Sequence, residues 1–145
     1  MREIKFRGKN NEGGWHYGLL TFIFNRYAIA HIENENTVDL IEKESIGQYT
    51  GLLDKELNEI YEDDLLDVDY PNGTFLARVV YELGSFHIVA VKGSIADYFP
   101  ENWNDNVLGL TALHWEQDCT DGNAIDSVKI VGNIHENTSL LEAVE

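Results

Sequence analysis

The densest chemistry in this 145-residue chain is a run of carboxylates, Glu62, Asp63, Asp64, Asp67 and Asp69. Hard cations such as Mg²⁺ take several oxygen ligands, and Asp67 and Asp69 would share one strand face roughly 6.5 Å apart. The spacing is not that of a calcium-binding helix–loop–helix, and acidic strands facing water are common. His16, His31, His87, His114 and His135 include no pair three or four residues apart, as a helix-borne metal motif needs. His114 and Glu116 flank Trp115 and fall on one face if extended, an acid–base arrangement of low specificity. Ser85 and His87 could begin a nucleophile–histidine–acid series, but nothing around them resembles a nucleophile elbow or a glycine-rich phosphate loop. An enzyme would require Asp64, Asp67 or Asp69 to meet His87 or His114 in a concave pocket. The sequence therefore assigns no catalytic residue, no metal ligand and no cofactor.

Charge narrows the partners. Ten lysines and arginines stand against 26 acids, a formal charge of -16. Such a balance repels phosphate backbones and anionic lipid, so direct nucleic-acid binding and membrane association are disfavoured. The charge is uneven: residues 1–32 carry +3, residues 33–70 carry -11 and residues 71–145 carry -8. A rival reading has the acidic face imitate phosphates and occupy a host protein's nucleic-acid surface. Another gathers Arg2, Lys5, Arg7, Lys9 and Arg26 into a basic face that binds nucleic acid directly. Cys119 is the only cysteine, which excludes an intrachain disulfide, and its acidic neighbour Asp118 opposes thiolate formation.

Aromatic side chains supply the alternative to catalysis. Three tryptophans, seven tyrosines and six phenylalanines are enough both to fill a small core and to build a contact surface. The candidate interaction surface is Glu62, Asp63, Asp64, Asp67 and Asp69 together with Trp15 and Tyr49. An edge-rich sheet in a chain of this size also invites pairing with a second copy, so a homo-oligomer is expected.

These residues must be held by strands. Ile4 and Phe6 alternate with Glu3, Lys5 and Arg7, and glycines in Asn10–Gly14 turn the chain. Trp15–Phe24 reads as extended, Asn25-Arg26 as a turn, Tyr27–Ile32 as a third strand and Thr37–Ile41 as a fourth. Residues 42–62 have no clean period and read as an ordered loop tacked down by Ile46, Tyr49, Leu52 and Leu57, with one helical turn available at 54–59. Leu66, Val68 and Tyr70 alternate with Asp67 and Asp69, and Pro71-Asn72-Gly73 stops that strand. Phe75–Tyr81 and Phe86–Lys92 form a hairpin around Glu82–Ser85. Ser94–Phe99 reads as a short helical turn, Leu108–Trp115 as strand or short helix, Val128–Ile134 as a last strand with a bulge or close crossing at Gly132. The tail from Glu136 could set Leu140 and Leu141 against the sheet. Six or seven short strands predict a mainly β fold, a small barrel or curled sheet. The densest apolar run, Leu19–Phe24, is far short of the roughly 20 residues of a spanning helix, and no signal peptide opens the chain, so a cytoplasmic location is expected.

Three stretches carry a resemblance. Met1–Gly8 with Trp15-His16-Tyr17-Gly18, Ser45–Lys55 running into Glu59–Asp64, and Val131–Asn137 resemble, in order and spacing, the YopX family of phage and prophage proteins. The resemblance implies an accessory protein of a bacterial host's phage or prophage, with an SH3-like barrel in the carboxyl-terminal part. It brings no catalytic set to these positions. The family usually has glycine where this chain has Asp63, which matters if that position needs a positive φ. One domain is expected over 1–145, with N-terminal strands and ordered loop in 1–62 and a barrel-like portion in 63–145. The reading is a protein-binding, self-associating accessory protein, with a metal-dependent or acid–base enzyme and a nucleic-acid module or mimic as the alternatives.

Overall fold

A computed structural model describes residues 3–31, 37–117, 122–137 and 139. The tail leucines 140 and 141 and Cys119 lie outside them. The chain divides into two compact units, 1–51 and 52–145.

The first unit is an antiparallel sheet. Its strands are β1 (Phe6–Lys9), β2 (Trp15–Ile23), β3 (Arg26–Ala30), β4 (Val38–Leu40) and β5 (Gly47–Leu53), and with β6 (Glu59–Tyr61) next to β5 the six-stranded order is β4-β3-β2-β1-β5-β6. The β5 segment corrects the expected loop. Its glycines and polar residues hide its period, but Gly47 and Gln48 pair with Arg7 and Phe6 of β1, and a partner distant in sequence supplies the strand. Tyr49 is buried, as the packing role required. The β2–β3 turn is Phe24-Asn25, one residue earlier than expected, closed by the pair Ile23 and Arg26. Both turn residues have positive φ, 51° and 62°, the geometry that matches strand twist in a two-residue hairpin.

The second unit is built on the alternation in β7 (Asp64–Tyr70). Leu66 and Val68 are fully buried, whereas Asp67 and Asp69 face water. After β6 (Glu59–Tyr61) the order is β10 (Leu108–Gly109), β9 (Ser85–Ala90), β8 (Gly73–Glu82), β7, β11 (Val128–Asn133). The core face gathers Leu66, Val68, Ala77, Val79, Ile88 and Val128, and Leu110 and Leu113 of the helix α1 (Leu110–Glu116) pack into the same core. Each such valine, leucine or isoleucine contributes roughly 1.5–3 kcal/mol on burial. Tyr98 stacks on Phe75 with centroids 4.0 Å apart and planes 2° from parallel. The register shift between Ile130 and Gly132 is the expected bulge.

Among the described residues no sheet closes into a barrel, which corrects the expected SH3-like architecture. Among the described residues β10 is two residues long before α1 begins and β7 is the one strand paired with β11, so β10 and β11 end the five-stranded sheet without meeting each other. Residues 54–58 are a hairpin loop and not a helical turn: Leu57 has a φ of 69° and is exposed, so it does not tack the segment down.

The β8–β9 turn is Leu83-Gly84, with φ of 55° and 80° and Leu83 68% exposed. A bulky side chain pays conformationally for that region and gains no burial there. Leu83→Asn is expected to raise stability by about 0.5–1 kcal/mol in urea denaturation, because asparagine suits the first position of this turn. A loss of stability would mean that the leucine packs on something.

Candidate functional site

The acidic run is put to two different uses. Asp64 is buried and its Oδ2 accepts the Tyr61 N–H at 2.7 Å. Asp63 has a φ of 72°, so the position does require the left-handed region. Its side chain links two elements: Oδ1 accepts from Arg78 at 2.9 Å, and Oδ2 lies 3.5 Å from His135 Nε2. Those partners explain an aspartate where glycine would fit with less strain. Glu62 is half-buried, and Asp67 and Asp69 remain exposed. Trp15 lies half-buried in the first unit with the Arg7 guanidinium 4.9 Å from its ring, and Tyr49 is buried with Lys5 5.6 Å above it.

Acid and histidine do not converge at Asp67. In the register, His87 opposes Val80 while Asp67 opposes Leu76. His87 is thus one strand beyond β8 and four residues further along, roughly 13 Å along the strand and 10 Å across. His87 Nε2 lies 3.0 Å from Ser85 Oγ, so the nucleophile–base contact of the drawn series exists. Its buried Nδ1 has no hydrogen-bond partner among the described residues, and the orienting acid of a triad is missing there. His114 is buried and Nε2 donates to the Gly122 carbonyl at 2.9 Å, while Trp115 is exposed. His114 and Trp115 therefore part, the histidine inward and the tryptophan to water, because the helix turns Leu110, Leu113 and His114 inward together. The side chain of Glu116 lies outside the described residues.

Sequence reasoning missed a polar cluster on the first unit's sheet. Pairing Leu20 with Ile29 and Ile29 with Asp39 puts these on one face with His16 and His31. His31 Nε2 donates to Asp39 Oδ2, and His16 Nδ1 lies 3.3 Å from the same oxygen. The two imidazoles meet edge-on, centroids 5.7 Å apart. Asn10 fixes the tautomer of His16. Its Oδ1 accepts the N–H groups of Glu12 and Gly14 at 2.9 and 2.8 Å, so its Nδ2 must face His16 Nε2, 3.0 Å away. Nε2 then accepts and Nδ1 carries the proton, 3.3 Å from Asp39 Oδ2.

The other face exposes an apolar stretch over β2 and β4, although Arg7 and Ala28 on that same face are buried. Tyr17, Leu19, Ile23, Val38 and Leu40 all lie on it by register and all are exposed, and Phe24 at the turn is 90% exposed. By unit, residues 1–51 hold six cations and seven acids, net -1, whereas residues 52–145 hold four cations and 19 acids, net -15.

Fold and sites together define, over the described residues, a β-rich protein of two sheets in which α1 is a short helix. The chain belongs to the YopX family of phage and prophage proteins, whose model matches residues 5–142. It is similar to the crystal structure of protein EF1440 from Enterococcus faecalis, at 22% identity and a TM-score of 0.52 over 97% of this chain and 99% of that one. At that identity the likeness concerns the fold. No curated protein matches the chain. Among the described residues no helix is long and apolar enough to cross a membrane.

Proposed function

We propose that this phage-family protein acts by binding protein, and that its first contact is with a second copy of itself through the apolar sheet face of the first unit. The observation that carries this reading is the set Tyr17, Leu19, Ile23, Val38 and Leu40, exposed side by side on one face with Phe24 at its end. A contiguous exposed apolar patch on a small protein marks an interaction site. Phe24 strengthens the case, because a bulky residue at positive φ and 90% exposure lowers stability unless something covers it. Charge selects the partner: two first units meet at -1 each, whereas second units would repel at -15 each. β4, three residues long at the sheet edge, offers little for edge pairing, so the contact is face to face.

Light scattering at high micromolar concentration should give twice 16.5 kDa for the natural chain. Phe24→Asn and Leu19→Lys should each return the mass to 16.5 kDa, with Phe24→Asn melting no lower than the parent monomer. A natural chain of 16.5 kDa across the concentration range sinks the reading.

A further inference from the structure

We propose that His16, His31 and Asp39 form a binding site for a divalent ion of the zinc class, and that Asn10 weakens it. One nitrogen from each imidazole and one carboxylate oxygen lie within 4.8 Å of one another. Bonds of roughly 2.0–2.2 Å in a tetrahedron place ligand atoms about 3.3–3.6 Å apart. The edge from His16 Nδ1 to Asp39 Oδ2 is already 3.3 Å, so assembly needs only small side-chain movement. Two imidazole nitrogens and one carboxylate oxygen suit a borderline ion, whereas Mg²⁺ and Ca²⁺ require more oxygens. Three protein ligands leave a fourth position for water, as in open zinc sites. The ligands come from β2, β4 and the residue following β3, whose N–H donates to the Thr37 carbonyl just before β4.

Proton placement gives the site its character. Without an ion, His31 Nε2–H donates to Asp39 Oδ2 and the protonated His16 Nδ1 lies 3.3 Å from the same oxygen. Coordination needs lone pairs there, so each proton must move to the ring's other nitrogen or leave to solvent. On His16 the proton arrives at Nε2, where it meets the Nδ2–H of Asn10. Asn10 cannot rotate away without losing the Glu12 and Gly14 bonds to its Oδ1. Two donors then face each other, and binding is weakened. An aspartate at this position keeps both backbone bonds on one oxygen and accepts the Nε2–H on the other, the carboxylate–histidine–metal arrangement.

The test is titration of the full chain with Zn²⁺ against a chromophoric chelator, with the Co²⁺ visible spectrum reporting coordination. One ion per chain is expected to bind saturably. His31→Ala and Asp39→Asn should each weaken binding by about 100-fold or more, and Asn10→Asp should tighten it about tenfold. Circular dichroism establishes that the loss variants fold, and the gain in Asn10→Asp cannot arise from misfolding. Absence of saturable binding in both the natural chain and Asn10→Asp overturns the site. Binding equal in His31→Ala and Asp39→Asn also overturns it, since the ion would then sit on scattered surface acids. Unchanged affinity in Asn10→Asp overturns the role of Asn10.

Discussion

Asp54→Ala is expected to lower stability by about 4 kcal/mol, read as an early midpoint in urea denaturation. The side chain is fully buried, and three backbone donors converge on it. Oδ1 accepts from Glu56 and Asn58, each at 2.9 Å, and Oδ2 accepts from Ile130 at 3.0 Å. Hydrogen bonds to an ionised carboxylate contribute roughly 1.5–3 kcal/mol each, and water can replace those in the exposed loop more readily than the one in β11. The Ile130 N–H belongs to an edge strand, so Asp54 also satisfies an edge that would otherwise stay open, helped by the Lys55 N–H donating to the Val128 carbonyl at 3.0 Å. Asp54→Asn should fall between the parent and the alanine variant, because its amide places an N–H opposite Ile130.

The same residue sets an acid dependence. Burial alone would raise the Asp54 pKa, but the donors from Ile130, Asn58 and Glu56 outweigh it and hold the carboxyl below its ordinary 3.8. A depressed folded pKa means the stabilisation is fully present above the ordinary value and is lost as pH falls through the folded one. Stability of the parent should therefore drop more steeply than that of Asp54→Asn below pH about 4. Parallel acid limbs would show that Asp54 is not held ionised.

Gly18→Ala is expected to lower stability by about 3 kcal/mol or more and to abolish Zn²⁺ binding with it. A Cβ there would clash with the Ala30 carbonyl oxygen and sit 3.1 Å from Ile29 Cγ2. Neither neighbour can yield easily: Ala30 is paired on one side with Leu19 and on the other with Val38, and Ile29 is fully buried. The strands would have to part at the row between His16 and His31. Thermal melting checks the first effect, and a variant within 1 kcal/mol of the parent would mean the sheet adapts without repacking.

Local pattern made part of this molecule readable. Leu66 and Val68 against Asp67 and Asp69 is a period of two with opposite solvation, and no tertiary partner is needed to decide which side turns inward. The β8–β9 hairpin was readable for the same reason, two β-branched runs separated by a short turn that contains Gly84. β5 was not, because Gly47, Gln48, Thr50 and Gly51 lack a period and the segment becomes a strand by pairing with β1, some 40 residues earlier. The acidic run looked uniform, yet Asp63 and Asp64 are structural while Asp67 and Asp69 meet water. Backbone direction at each position makes that difference, and composition does not contain it.

The amino-acid order alone determined the strand-rich class, the strongly acidic balance, the family and the inward face of β7, since each follows from residue type and near-neighbour spacing. Tertiary structure decided that the sheets stay open, which depends on which edges find partners, and it assembled His16, His31 and Asp39. Those three are 15 and eight residues apart and meet only in one register. Turning the chain at Asn25-Arg26, and not at Phe24-Asn25, would slide His31 two residues along β2 and carry it roughly 6.5 Å further from His16. Hairpin register is set by the geometry of two turn residues, and a site that spans three strands inherits that choice.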